Sequence, residues 1–326
     1  MLTKNLPIKR LLQYSIVPIT LSSIWSFAIV SGYYFFNFTW LVIPFLPISL
    51  LGIAVSFYVG FKNNAANERQ NEARKNWGGI TNETRSLIAM INTYLPENDD
   101  GYKANILKRH IVWLYAHKNF LRHKRMEWEH IQKLNDDYRK IFRETFNINL
   151  EIGKDIHNYI SSEEIKEIES SPNMASKVLL NQSKILKEIR AKNIIEDFRL
   201  FELQNHISKL YDLQGKNERI KTFPIPRQFA YYASLFITVF SFLLPFGLLN
   251  ETQKLNVWLT IPFSVLVTWI FYQMNFVGDY SEHPFEGLIG DTPISAITRN
   301  LEIEILHSLN ESNLPDPITS KNGVLM

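Results

Sequence analysis

Three stretches of this chain contain no Asp, Glu, Lys or Arg: Leu11 to Phe61, Gln228 to Asn250 and Leu255 to Gly278. A helix needs about 20 apolar residues to cross the hydrocarbon core of a bilayer. Lipid offers the backbone no hydrogen-bond partner, so a crossing segment must satisfy its own amides, as a helix does. The first stretch is long enough for two crossings, with a break near Asn37–Thr39. Spans are expected at Ser15–Phe36, Trp40–Phe61, Phe229–Leu249 and Leu255–Phe276. The connection within each pair is too short to hold a domain, so the spans form two helical hairpins. Overall composition, 46% hydrophobic and 21% charged, conceals this segregation, because the residues between Lys62 and Arg227 are densely charged.

The first span is too long for a signal-peptide core and runs almost directly into the second, so it is expected to stay in the protein. Lys4, Lys9 and Arg10 precede span one, and Lys62, Arg69, Arg74 and Lys75 follow span two. Lys221 and Arg227 precede span three, whereas the hairpin turns carry only Lys254. The positive-inside rule then puts both termini and the middle block in the cytoplasm, and the cell (inner) membrane is the expected location. Four regions follow: a short N-terminal segment with hairpin one over 1–61, a cytoplasmic helical domain over 62–227, hairpin two over 228–278, and a cytoplasmic tail over 279–326. The chain has no cysteine, which excludes disulfides and thiolate metal sites.

Apolar residues of the middle block recur at helical spacing, with no period-two alternation. One stripe is Ile106, His110, Trp113, His117 and Leu121; another is Ile131, Leu134, Tyr138, Ile141 and Phe142. A longer stripe runs from Leu186 through Ile189, Ile194, Phe198, Phe201, His206 and Leu210 to Leu213. Breaks are expected at Pro96–Gly101, near Gly153, at Pro172–Asn173 and at Gly215. Residues 62–227 carry a net charge of +6 and residues 279–326 a net −6. The acidic tail is therefore expected to pack around the basic block, which would itself concentrate anions at the inner mouth of any pathway.

His110, His117, His123 and His130 recur at about seven residues, not at the three- or four-residue spacing of metal-ligating pairs, so no metal is expected. No phosphate-cradling loop or nucleophile elbow occurs, and no enzyme, cofactor or nucleic-acid partner is inferred. The spans lack the buried ionisable groups that mark proton pathways. Span two is the candidate pore wall. Leu46, Leu50, Ile53, Ala54 and Phe57 share one helical stripe, among small residues (Ser49, Gly52, Ser56) that let neighbouring helices approach closely. A ring of such apolar side chains gates by dewetting. Plain helix or lipid packing is the competing explanation of the same stripe.

Just past span two the chain reads GFKNNAANERQNEARKNWGGITNETR, residues 60–85. This resembles the bestrophin signature, matched by Lys62, Asn63, Asn64, Arg69, Glu72, Arg74, Trp77 and Gly78. Residues 106–124 (ILKRHIVWLYAHKNFLRHK) resemble the helix of that family that ends in a Leu-Arg pair. FPIPRQFAYYASLF (223–236) is similar to its Pro-x-Pro entry into span three, and EHPFEGLIGDTP (282–293) to the element after span four. The resemblance covers most of the chain and looks like the prokaryotic branch. It implies an all-α membrane protein, a homopentamer in lipid whose second spans ring a central pore passing monovalent anions such as chloride, with the cytoplasmic helices forming a vestibule. It puts Leu46, Leu50 and Ala54 at the pore neck. Ala54 is smaller than the family's usual residue, so Ile53 or Phe57 takes over part of its role. It also suggests a cytoplasmic aperture between Ile168 and Met174. The calcium-binding acidic run of animal members is replaced by scattered Glu282, Glu286 and Asp291. A cation-selective channel of the same fold, and a membrane-anchored sensor or scaffold without conductance, are the alternatives.

Overall fold

The structure, a computed structural model, describes residues 8–97, 101–123, 156–287, 290–320 and 325. Among them every regular element is helical. In chain order these are α1 (Ile8–Phe36), α2 (Phe45–Tyr94), α3 (Tyr102–His123), α4 (Ser162–Glu169), α5 (Met174–Ala191), α6 (Asp197–Thr222), α7 (Arg227–Thr252), α8 (Thr260–Ser281) and α9 (Ile294–Ser308). The chain divides into two compact units. One comprises Thr3–Arg69 with Pro224–His283, the other Gln70–Phe223 with Pro284–Met326.

The first unit holds α1, the start of α2, α7 and α8. Among the described residues, four helices are long and apolar enough to cross a membrane, over Ser15–Phe36, Thr39–Tyr94, Gln228–Thr252 and Val257–Ser281. The expected break between the first two is present. Asn37 takes the left-handed conformation, at φ 54°, which its short polar side chain tolerates better than most residues. Trp25 of α1 stacks on Phe242 of α7 at 4.6 Å and donates its indole N–H to the Phe242 carbonyl at 3.0 Å. Ile48, Val55 and Val59 of α2 bury against Ala233, Ile237, Phe240 and Leu244 of α7. The packing there is close. A Cβ on Gly52 would come within 2.8 Å of the Phe240 ring, and one on Gly247 within 2.6 Å of the Ile48 side chain.

Span two was expected to end at Phe61, where charge begins. The helix instead continues without a break to Tyr94. A charged side chain does not stop a helix; the next proline is Pro96, which disfavours helical backbone at Leu95. The compact units divide at Arg69 and Gln70, inside this helix.

The second unit is built on a core from α2 (Trp77, Ile80, Leu87, Ile91), α3 (Ile106, Ile111, Trp113, Leu114), α5 (Val178, Leu179, Ile189), α6 (Leu203, Ile207, Leu210) and α9 (Leu301, Ile305). Three pairs of buried polar side chains meet within this core. His110 Nε2 lies 2.9 Å from Thr84 Oγ1, His117 Nε2 3.1 Å from Asn217 Nδ2, and Trp113 donates to Gln214 at 2.9 Å. Burial holds His110 and His117 neutral, with pKa values pushed down to about 3. The acidic tail does meet basic and hydroxyl groups of the middle block: Arg85 grips Glu304 through Nε and Nη2, Lys108 pairs with Glu311, and Tyr115 and Tyr159 both donate to Glu302.

Two expectations for this unit are corrected. Gly215 does not break α6, because a lone glycine costs a helix only about 1 kcal/mol and packing supplies more. The long stripe beginning at Leu186 is not one helix. It is interrupted between α5 and α6, where Asn193 adopts φ 56°, and Phe198 and Phe201 then lie 86% and 68% exposed instead of in the core. The break at Pro172–Asn173 is present and doubles as a helix start, since Asn173 Oδ1 caps α5 by accepting from the Ser176 amide at 3.0 Å. The expected break near Gly153, the stripe from Ile131 to Phe142, and His130 lie outside the described residues.

Candidate functional site

The residues of α2 alternate between a buried and an outward face with helical period. Ile48, Gly52, Val55 and Val59 point inward, whereas Leu46, Leu50, Ile53, Ala54 and Phe57 all point outward. The four large members are 69%, 59%, 55% and 65% exposed, in the order Leu46, Leu50, Ile53, Phe57. All five candidate neck residues therefore share one uncovered stripe. Past Phe61 the same stripe continues through Asn64, Asn67, Glu68, Asn71, Arg74, Lys75 and Gly78. Its chemistry changes from hydrocarbon to carboxamide and charge while its angular position on the helix is kept.

The signature residues divide between the two faces. Lys62 is buried, 1% exposed, although it is a cation. Its ammonium donates to Asn275 Oδ1 at 2.8 Å and forms an ion pair with Asp279, both on α8. Asn275 Nδ2 in turn donates to Asp279 at 3.2 Å and to Ser234 at 3.3 Å. Beside it Asn63 donates to the Met274 carbonyl at 2.9 Å, and the missing side chain of Gly278 makes room for the amide, since a Cβ there would lie 2.2 Å from Asn63 Oδ1. Arg69 Nε donates to the Glu282 carbonyl at 3.1 Å, and the Glu282 carboxylate accepts the Ile225 amide at 2.9 Å. Burial pushes the Glu282 carboxyl above its ordinary pKa.

In the second unit Glu72 pairs with Arg219, Trp77 is fully buried and stacked on His117 at 5.7 Å, and Arg74 donates to the Gly290 carbonyl at 2.9 Å. Gly78 is exposed, with open space beside its Cα. The acidic residues after span four each have a use. Glu286 pairs with buried Lys221, and Asp291 lies 3.7 Å from Arg122 while accepting the Gly287 amide at 2.8 Å.

The aperture expectation is corrected at Ile168. Its side chain is fully buried in the core of its own unit, because it closes α4 against α5, and it has no surface to offer a passage. Met174 is partly buried. Between them the exposed residues are Glu169, Ser170 and Pro172. Sequence reasoning had left out Asn275 and Asp279, the partners of Lys62. Two polar residues one turn apart near the end of an otherwise apolar span were the available signal.

Four helices long and apolar enough to cross a membrane, in a chain whose described residues form no regular element but helix, define an integral membrane protein. The family described as Bacterial/Fungal Bestrophin protein matches residues 8–307, and the chain belongs to the bestrophin family, a family of ion channels and not of enzymes. Among curated relatives, the voltage-dependent anion channel-forming protein YneE of Escherichia coli (strain K12) is 27% identical over 275 residues, covering 83% of this chain and 79% of its own. The voltage-dependent anion channel-forming protein mll4386 of Mesorhizobium japonicum is 25% identical over 309 residues, covering 93% and 89%. A bacterial bestrophin homolog from Klebsiella pneumoniae superimposes with a TM-score of 0.77 at 22% identity, over 91% of this chain and 99% of that one, which establishes a shared fold.

Proposed function

We propose that this chain forms a homopentameric channel in the inner membrane, with both termini cytoplasmic, through which small monovalent anions such as chloride run down their gradient. The outward stripe of α2 carries this reading. Leu46, Leu50, Ile53, Ala54 and Phe57 line an apolar neck once the copies meet around an axis, and the polar continuation of the stripe lines the path beyond it. A face that stays in register while passing from hydrocarbon to carboxamide suits a path from lipid depth into water better than it suits lipid contact throughout. Apolar neck side chains bar ions by keeping the constriction dry, so conduction depends on its width. The names of the curated relatives support anions as the permeant species. Met174 stays in this account as a contributor to the cytoplasmic exit, without Ile168.

The test is a planar bilayer recording of purified protein in asymmetric potassium chloride. The proposal expects current whose reversal potential lies on the chloride side of zero, and a larger unitary conductance in Leu50→Ala. A silent protein of confirmed assembly would leave the scaffold reading in its place.

A further inference from the structure

By sequence the segment following the apolar stripe looks basic, with Lys62 and Arg69 against Glu68. The structure reverses that balance on the outward face. Lys62 is turned inward onto Asn275 and Asp279, and Arg69 directs its Nε to the Glu282 carbonyl. Glu68 alone of the three points outward, and among the described residues its carboxylate is paired with no cation. Its partner is Asn64, which donates its amide N–H to Glu68 Oε1 at 3.0 Å. That bond uses one of the two amide N–H groups and holds the carboxylate in place on the outward face. Asn64 is one helical turn past Phe61 and Glu68 one turn further, about 10 Å beyond Phe61 along the axis. The next outward cations, Arg74 and Lys75, follow only six and seven residues later.

Resting on the channel reading above, we infer that Glu68, oriented by Asn64, sets the discrimination between ions of opposite sign at the inner end of the neck, admitting cations alongside anions. Every copy in the ring contributes one carboxylate, and no outward cation precedes Arg74, so the first charge met after the apolar neck is negative. The net positive charge of the surrounding block acts from further away and is screened over about 10 Å at ordinary ionic strength. Glu68 therefore opposes the anion preference that the overall charge of the block would create.

The experiment compares full-length wild type, Glu68→Gln and Glu68→Lys in bilayers under a potassium chloride gradient, each checked for the same assembly size. Glu68→Gln keeps the shape and the acceptor for Asn64 while removing the charge. It is expected to move the reversal potential toward the chloride value, with the cation-to-anion permeability ratio falling about fivefold or more, because one like charge is removed from every copy in the ring. Glu68→Lys is expected to move it further. Both shifts shrink when ionic strength rises from about 0.1 M to about 1 M, a dependence that a merely structural role would not show. Equal reversal potentials in wild type and both variants would overturn the inference while leaving the channel intact. A wild type that passes no current would instead sink the channel reading and this inference with it.

Discussion

Replacing Lys62 by methionine should destabilise the protein far more than its exposed neighbours would, and only while Asp279 is present. Methionine has nearly the length of lysine, so packing around position 62 is kept and the perturbation is electrostatic. The lost ammonium donates to Asn275 and pairs with Asp279 from a site that is 1% exposed. Asp279 is then left with the Asn275 amide as its remaining donor, in a position only a fifth exposed. Removing one partner of a buried pair costs about 3–5 kcal/mol. The residual exposure of Asp279 lets water recover part of that, which brings the figure to about 2–4 kcal/mol. At roughly 2–3 °C per kcal/mol for a chain of this size, the melting midpoint should fall by about 5–10 °C. The double variant Lys62→Met/Asp279→Leu removes both charges and should recover most of the loss, a coupling of about 2 kcal/mol or more. Size-exclusion analysis of detergent-solubilised protein after stepwise heating reads all four corners of this cycle. A Lys62→Met midpoint within about 1 °C of wild type, or losses that simply add in the double variant, would refute the claim that this pair ties α2 to α8.

Gly278→Ala separates two opposing effects: helix propensity alone predicts a gain of about 1 kcal/mol, whereas the clash with Asn63 and loss of its bond to Met274 predict a net loss of about 1–2 kcal/mol, read as a lower melting midpoint. Stability should also fall in acid, since His110 and His117 take up protons in the unfolded chain near pH 6.5 but in the folded chain only near pH 3. The contribution is constant above pH 6.5 and is lost progressively as pH drops toward 3, by about 1.4 kcal/mol per histidine at pH 5.5. Melting midpoints between pH 7.5 and 5.5 should therefore decline less in His117→Gln than in wild type, and parallel declines would contradict the assignment.

Much of this architecture is legible in sequence because membrane crossing demands long charge-free runs, and three such runs leave little choice of spans. The turn at Asn37 and the break at Pro172–Asn173 were also readable, each from a residue type with a known backbone preference. The charge at Lys62 marks no end of the helix, which runs on to Tyr94, just before Leu95 and Pro96. The split between α5 and α6 was missed since the apolar spacing ran straight across Asn193, and nothing local announced its left-handed conformation. The candidate neck residues could be grouped from spacing alone. Which way Lys62, Arg69 and Glu68 point could not, because their directions are decided by Asn275, Asp279 and Glu282, some two hundred residues away in sequence.

The absence of native cysteine makes one measurement unusually direct: single cysteines placed along α2 in otherwise unaltered protein, exposed to a charged thiol reagent during bilayer recording. Leu50→Cys and Phe57→Cys, on the outward stripe, should lose most of their current on modification, while Val55→Cys and Val59→Cys, on the buried face, should be unaffected. Current that is blocked at 55 and 59 but untouched at 50 and 57 would mean that ions do not pass along this face of α2.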